Sequence, residues 1–237
     1  MIDLSSLDTL YLEMEKEVSE RLRSDGYDEE YISNLCPFVS KAGKDYPSEP
    51  NRGLVFYGRA TNGWDEEDHS ETNQVEHILW YQTWRPFINL LYYVGWEYYG
   101  NDYCNNLVWS NISKIAPDGG NPPDVLWDAQ YGHIVKIIKR EMQLLSPSVV
   151  VLVTGNTAGE HWHTPFFEAI PNLQIGKSIV WGQSKEGLDC TASFYTDGEL
   201  CVILTDRPEM RPIQEHADAI TELIAFAAKY LNKQLLP

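Results

Sequence analysis

The sequence predicts an α/β fold: a three-layer α/β/α domain around a central, mainly parallel, four-stranded sheet. Three observations predict it. Val149-Val150-Val151-Leu152-Val153 is an unbroken, β-branched apolar run, which means a strand buried on both faces, as in a parallel sheet covered by helices. Short apolar runs alternate along the chain with segments of helical period, the pattern of repeated strand–helix units. The runs also end in polar loops, at 58–64, 110–117, 154–159 and 205–209. In open α/β sheets such loops gather at the carboxyl edge, where ligands bind.

Taken in order, residues 5–34 read as helical, with Leu7, Leu10, Leu12, Met14, Val18 and Leu22 loosely periodic among acidic residues. Residues 1–50 form a helical N-terminal extension packed on a domain of residues 51–237. Pro37, Pro47 and Pro50 make 35–52 a loop leading into the first strand. That strand, Leu54 to Tyr57, breaks at Gly58 and delivers Arg59-Ala60-Thr61-Asn62-Gly63-Trp64. The acidic run 65–71 reads as a solvated loop. A helix is expected from Gln74 to Trp84, interrupted at Pro86 and resuming through Phe87, Leu90, Leu91, Val94 and Tyr98. Its aromatic residues read as packing.

Residues 106–112 read as the second strand. Asn121 then serves as N-cap, Pro122 as the first helical residue and Asp124 as a first-turn acid. The helix buries Trp127, Tyr131, Ile134, Ile138, Met142 and Leu145 before Ser146-Pro147 stops it. After the third strand at 149–153, Phe194-Tyr195 and Cys201–Leu204 are late strands joined through an Asp197-Gly198 hairpin turn. Ile213, Ala217, Ile220, Ile224, Ala227 and Leu231 make the last helix amphipathic.

Composition narrows the function. The chain has 237 residues and a net charge of −17, from 35 acids against 18 bases. Extensive duplex binding is disfavoured, because it rests on Lys and Arg neutralising phosphates; a small basic cleft is not. Cys36, Cys104, Cys190 and Cys201 are scattered, with no paired spacing for zinc or a cluster. Free thiols, no leader-like N-terminus and no apolar run near the ~18 residues of a membrane span point to the cytoplasm and to no membrane partner. Gly155-Asn156-Thr157-Ala158-Gly159 would offer backbone N–H groups to a phosphate, but it lacks the Walker lysine and reads first as a turn. His161 and His163 have no distant third ligand, so no metal site is expected.

The order of the loops resembles the uracil-DNA glycosylase-like superfamily over about residues 50–230. Four pieces carry it. Gly58-Arg59-Ala60-Thr61-Asn62 stands at the family's first motif. Ser110-Asn111-Ile112-Ser113-Lys114, with Pro117 and Asn121-Pro122, is similar to a segment of its iron–sulfur branch. Leu145 through Ala158 is similar to the strand and glycine turn of that branch. Thr205-Asp206-Arg207-Pro208 stands at the family's "HPS" motif.

The resemblance implies hydrolysis of the N-glycosidic bond of a modified or damaged base taken out of the DNA stack. It implies Asn62, Asp65 and Arg207 as catalytic residues. Asn111 would read the base edge and Trp64 would stack on it, with Gly58, Arg59, Ala60, Thr61, Lys114, Asn156, Asp206 and Pro208 completing the site. Two departures oppose the reaction. Ala60 stands where a carboxylate is often found, and Arg207 stands at the motif-two histidine. No cofactor is expected, since the cluster cysteines are absent. The alternative is an inactive relative binding a nucleobase, nucleotide or small anion through Arg59, Lys114 and Arg207. A third reading makes the aromatic helix at 80–99 a protein-partner surface.

Overall fold

Every residue of strand β6 (Pro147–Val153) is buried, as a run with two apolar faces requires. In this computed structural model, which describes residues 3–47, 53–60, 79, 85–117, 119–156 and 161–236, β6 is the middle of the sheet. It pairs in parallel with β3 (Gly53–Gly58) on one side and β9 (Cys201–Thr205) on the other. Strand β4 (Leu107–Asn111) lies parallel outside β3. The parallel core therefore runs β4-β3-β6-β9. The chain steps outward from β3 to β4 and then crosses back to β6. That reversal opens a crevice at the carboxyl ends of β3 and β6.

Alternation along these strands builds the layers. Leu54, Phe56, Val149, Val151 and Ile203 pack under helices α3 (Pro86–Tyr99) and α7 (Ile213–Tyr230). Val55, Tyr57, Val150, Leu152 and Val202 face helix α5 (Asp124–Leu145) and the short α6 (Thr164–Ala169). Helix α1 (Asp8–Ser24) lays Tyr11, Met14, Val18 and Leu22 on the outer side of α5, against Leu126 and Ile137. Each such aliphatic side chain contributes about 1.5–3 kcal/mol when fully buried. A one-turn helix α2 (Glu29–Ser33), capped by Asp28 through the Tyr31 N–H, follows α1; α4 (Tyr103–Asn106) precedes β4.

The sheet has seven strands rather than four. Three antiparallel strands extend the parallel set: β2 (Lys41–Ala42) beside β4, then β8 (Asp189–Thr196), which contains the strand expected at Phe194-Tyr195, and β7 (Gln174–Gln183) beyond β9. Strand β7 is a partly exposed edge carrying Gly176 and Gly182, and its apolar run, Ile179-Val180-Trp181, is only three residues long. Gly176 is required by packing: a Cβ there would lie 2.8 Å from the Phe194 ring. Residues 35–52 are not simply a loop. Strand β1 (Leu35–Pro37) pairs antiparallel with β5 (Ile115–Pro117), and β2 joins the main sheet. The extension ahead of residue 50 thus supplies strands as well as helix.

Pro86 opens α3 as its first residue, where its missing N–H costs nothing. Of the helix expected at 74–84 only Leu79 falls within the described residues, and the acidic run 65–71 lies outside them. Helix α5 begins at Asp124 with Pro123 before it and no side-chain cap, so Asn121 is not the N-cap. Trp127 and Tyr131 are half-buried; Leu126, His133, Ile137 and Glu141 are buried instead, because α5 is covered by both the sheet and α1. The hairpin turn between β8 and β9 holds as expected, with Gly198 at φ 101° and Asp197 Oδ1 accepting from the Glu199 and Leu200 N–H groups at 2.9 Å.

Candidate functional site

Gly58 and Asn111 are direct neighbours at the carboxyl ends of β3 and β4. A Cβ on Gly58 would stand 2.5 Å from Asn111 Oδ1 and 3.4 Å from the Phe87 ring. Glycine here leaves room for the Asn111 side chain between strand and helix. Pairing continues past the strand ends, with Ile112 N–H donating to Gly58 O at 2.9 Å and Ser113 N–H to Arg59 O at 2.8 Å. Both loops leave the sheet in a fixed register.

Above this pair lies a cavity of about 550 Å³. One wall is Gly58, Arg59 and Ala60 from β3, with Trp109 and Asn111 from β4. The start of α3, Arg85 to Ile88, forms another. Arg207, Pro208 and Glu209 after β9 close a third side, with Gly120, Asn121 and Val153 completing the lining. Phe87 and Trp109 meet as rings 5.8 Å apart at 44°. The cavity therefore has an aromatic side and a polar side.

Asn111 is 1% exposed, and its Nδ2 has no hydrogen-bond partner among the described residues. A buried amide nitrogen without an acceptor costs about 1–3 kcal/mol unless something pairs with it. Charge is concentrated nearby. The described lining residues include three arginines, Arg59, Arg85 and Arg207, and one glutamate, Glu209. Arg59 is positioned by its Nε bond to Thr154 O at 2.6 Å and lies 5.4 Å over the Trp162 ring. Arg207 Nη2 sits 2.6 Å from Glu209 Oε1. A chain of net charge −17 thus keeps arginines at one cleft.

Of the residues the sequence nominates, Gly58, Arg59, Ala60, Asn111, Arg207 and Pro208 come together here. Thr61, Asn62, Trp64 and Asp65 lie outside the described residues. Three nominations are corrected. Lys114 is fully buried, with Nζ 2.8 and 2.9 Å from the Glu141 carboxylate and 2.8 Å from Ser110 Oγ. It neutralises a core glutamate that also accepts from Tyr57 OH at 2.7 Å. Burial pulls the Lys114 ammonium below its ordinary pKa, against the opposing pull of Glu141.

Asp206 is 1% exposed and accepts from Asn156 N–H at 3.1 Å and Thr191 N–H at 2.7 Å. Asn156 Nδ2 donates to Thr191 Oγ1 at 2.9 Å and Ser193 Oγ at 3.0 Å. Both residues brace β8 against the loop after β6 and do not line the cavity. The lining residues that were not nominated include Arg85, Phe87, Trp109, Asn121 and Glu209. Trp109 had a signal: it is two residues before Asn111, on the same side of a strand. Arg85 had one also, standing next to a helix-opening proline.

The chain matches no family model, and no curated protein matches its sequence. No helix among the described residues is long and apolar enough to cross a membrane.

Proposed function

We propose that this cleft binds a single nucleobase, on a scaffold of the uracil-DNA glycosylase-like kind that the sequence resembles. One observation carries the reading: Asn111 places a buried, unpaired amide in a cavity whose other side is aromatic. An Asn amide offers a donor and an acceptor side by side, as a base edge does. A cavity of about 550 Å³ is within the range of small-ligand sites. The convergence of loops from three parallel strands on one cavity supports the same reading, since that is what the resemblance implies.

Thermal-shift and calorimetric titration with free bases and nucleosides tests it. At least one base binds, and Asn111→Ala weakens it about tenfold or more while leaving the melting temperature within a few degrees. A flat response to every base and nucleoside overturns the reading.

Hydrolysis of the N-glycosidic bond is a second reading, favoured by where the first loop departs. Ala60 lines the cavity, and Asn62 and Asp65 follow it in the chain. Arg207 would stabilise the anion of a departing base, without acting as a proton carrier near neutral pH. A base-release assay on single- and double-stranded uracil DNA decides this. No release at large enzyme excess removes hydrolysis and leaves binding.

A further inference from the structure

Strand β7 ends the sheet, and among the described residues no strand pairs with its outer edge. Such an edge presents unpaired backbone N–H and C=O groups, a template for a further strand. Register shifts at Ile175/Lys177 and Val180/Gly182 limit the regular stretch to residues 177–180. Helix α7 runs beside this stretch in the opposite direction. Lys177 Nζ meets Glu222 Oε1 at 2.7 Å and lies 5.0 Å over the Phe226 ring, while Trp181 stacks on His216. Between strand edge and helix lies a groove of about 480 Å³, lined by Ile179, Val180, Trp181, Glu215, Asp218 and Glu222. Val180 is 60% exposed. The Trp181 indole N–H is shielded from water and has no acceptor among the described residues. The groove shares no residue with the cleft.

We propose that the β7 edge takes a short, basic, extended peptide segment of another protein as an added strand, its alternate Lys or Arg side chains on Glu215 and Asp218. Backbone pairing with β7 would supply affinity, and the α7 side chains would supply selectivity. Glu215, Asp218 and Glu222 stand at i, i+3 and i+7 and form one exposed stripe along α7. Glu222 is matched by Lys177, whereas Glu215 and Asp218 have no cation within ion-pair distance among the described residues. The spacing suits a strand. Its alternate side chains lie about 6.6 Å apart on one face, between the ~4.5 Å rise from Glu215 to Asp218 and the ~10.5 Å rise from Glu215 to Glu222. The segment is short because the register shifts leave four regular residues to pair with. A second copy of this chain fits less well. Two β7 edges paired about a two-fold axis keep both α7 helices on one face of the joined sheet, and like acidic stripes then approach each other.

Fluorescence anisotropy on the full chain tests this with the labelled peptide acetyl-Arg-Thr-Arg-Thr-Val-Thr-Val-amide. Its companions are the same peptide with Glu for both Arg, and two versions N-methylated at alternate residues, one in each frame. The Arg peptide binds with a dissociation constant below about 1 mM, and about tenfold or more tighter than the Glu peptide. Alternate N–H groups of a strand point to opposite sides, so methylation in the frame facing β7 weakens binding about tenfold or more and methylation in the other frame does not. In the double variant Glu215→Lys/Asp218→Lys the preference reverses, and the Glu peptide becomes the tighter ligand. A reversal, unlike a loss, does not follow from unfolding. No binding of the Arg peptide up to about 1 mM overturns the proposal. Equal effects of the two methylated frames overturn strand addition. An unchanged preference in the double variant overturns the assignment to the α7 stripe. Sedimentation of the peptide-free chain as a dimer that Val180→Lys dissociates gives the edge to a second copy and overturns the peptide.

Discussion

At the scale of single residues, two positions carry opposite lessons about what one letter reveals. Gly58 closes an apolar run, which marks a strand end and the origin of a loop. Its physical reason is a close approach: a methyl group would sit 2.5 Å from Asn111 Oδ1 and press on Phe87. Gly58→Ala is therefore expected to displace the Asn111 amide, weakening nucleobase binding about tenfold or more while costing about 1–3 kcal/mol of stability; parallel calorimetry and urea unfolding check both. Lys114 looked like a site cation because it follows Asn111 in a polar loop. It is instead the only cation on the buried Glu141 carboxylate among the described residues. Polarity shows in a sequence, but whether a charge is spent on another buried charge depends on a residue 27 positions away. Lys114→Met leaves Glu141 unpaired in the core and is expected to cost about 3–5 kcal/mol. The double variant Lys114→Met/Glu141→Leu recovers part of that loss. Equilibrium urea unfolding measures it, and a single variant as stable as wild type would show that the pair is not holding the core.

At the scale of elements, what was legible followed burial. Strands buried on both faces, such as β6, announce themselves as apolar runs, and α7 announces itself by its stripe. The edge strand β7 does not: its partial exposure leaves Lys177, Ser178 and two glycines where a core strand would be apolar. Yet β7 is tied to the core through α7. Trp181 of β7 stacks on His216 of α7, ring centroids 4.0 Å apart and planes within 8°. His216 Nε2 in turn meets Thr205 Oγ1 at the end of β9, 2.7 Å away. Burial first, and Arg211 second, depress the His216 pKa to about 3. The folded protein therefore keeps this imidazole neutral, while the unfolded chain takes up a proton below about pH 6.5. Above that pH His216 contributes no slope. As pH falls from 6.5 toward 3, the unfolded state binds the extra proton and folding stability is lost, by at most about 1.4 kcal/mol per pH unit. In His216→Gln the slope from this site disappears. The stability difference between wild type and variant is expected to shrink by about 2 kcal/mol between pH 7 and pH 5. Unfolding curves at both pH values that keep a constant difference would assign acid sensitivity to other groups.

At the scale of the whole molecule, the residue types at the cleft contrast with the composition of the chain. The gathering of loops at one edge was legible because strand–helix alternation forces all parallel strands to end on the same side. The arginine at the start of α3 and the tryptophan of β4 left only local signals, a neighbouring proline and a strand face shared with Asn111; their place in the cavity depends on helix packing and strand register, which no single segment encodes. The consequence concerns ligand length. The chain has a net charge of −17, while the described lining of the cleft includes three arginines and one glutamate. On the base-binding reading, each further phosphate of a strand adds negative charge beside a chain of net charge −17. A protein that tracks a backbone gains affinity with length, and its log affinity falls with log salt in proportion to the phosphates neutralised. Here lengthening a single strand from about 5 to about 20 nucleotides is expected to give no gain in affinity at low salt. The salt slope is expected to stay at about one or below. Fluorescence anisotropy with end-labelled oligonucleotides at about 50 and about 200 mM salt measures both quantities. A slope that grows with strand length toward several units would require a basic track along the chain, and the cleft would then be the entrance to a nucleic-acid surface rather than a site for one nucleotide.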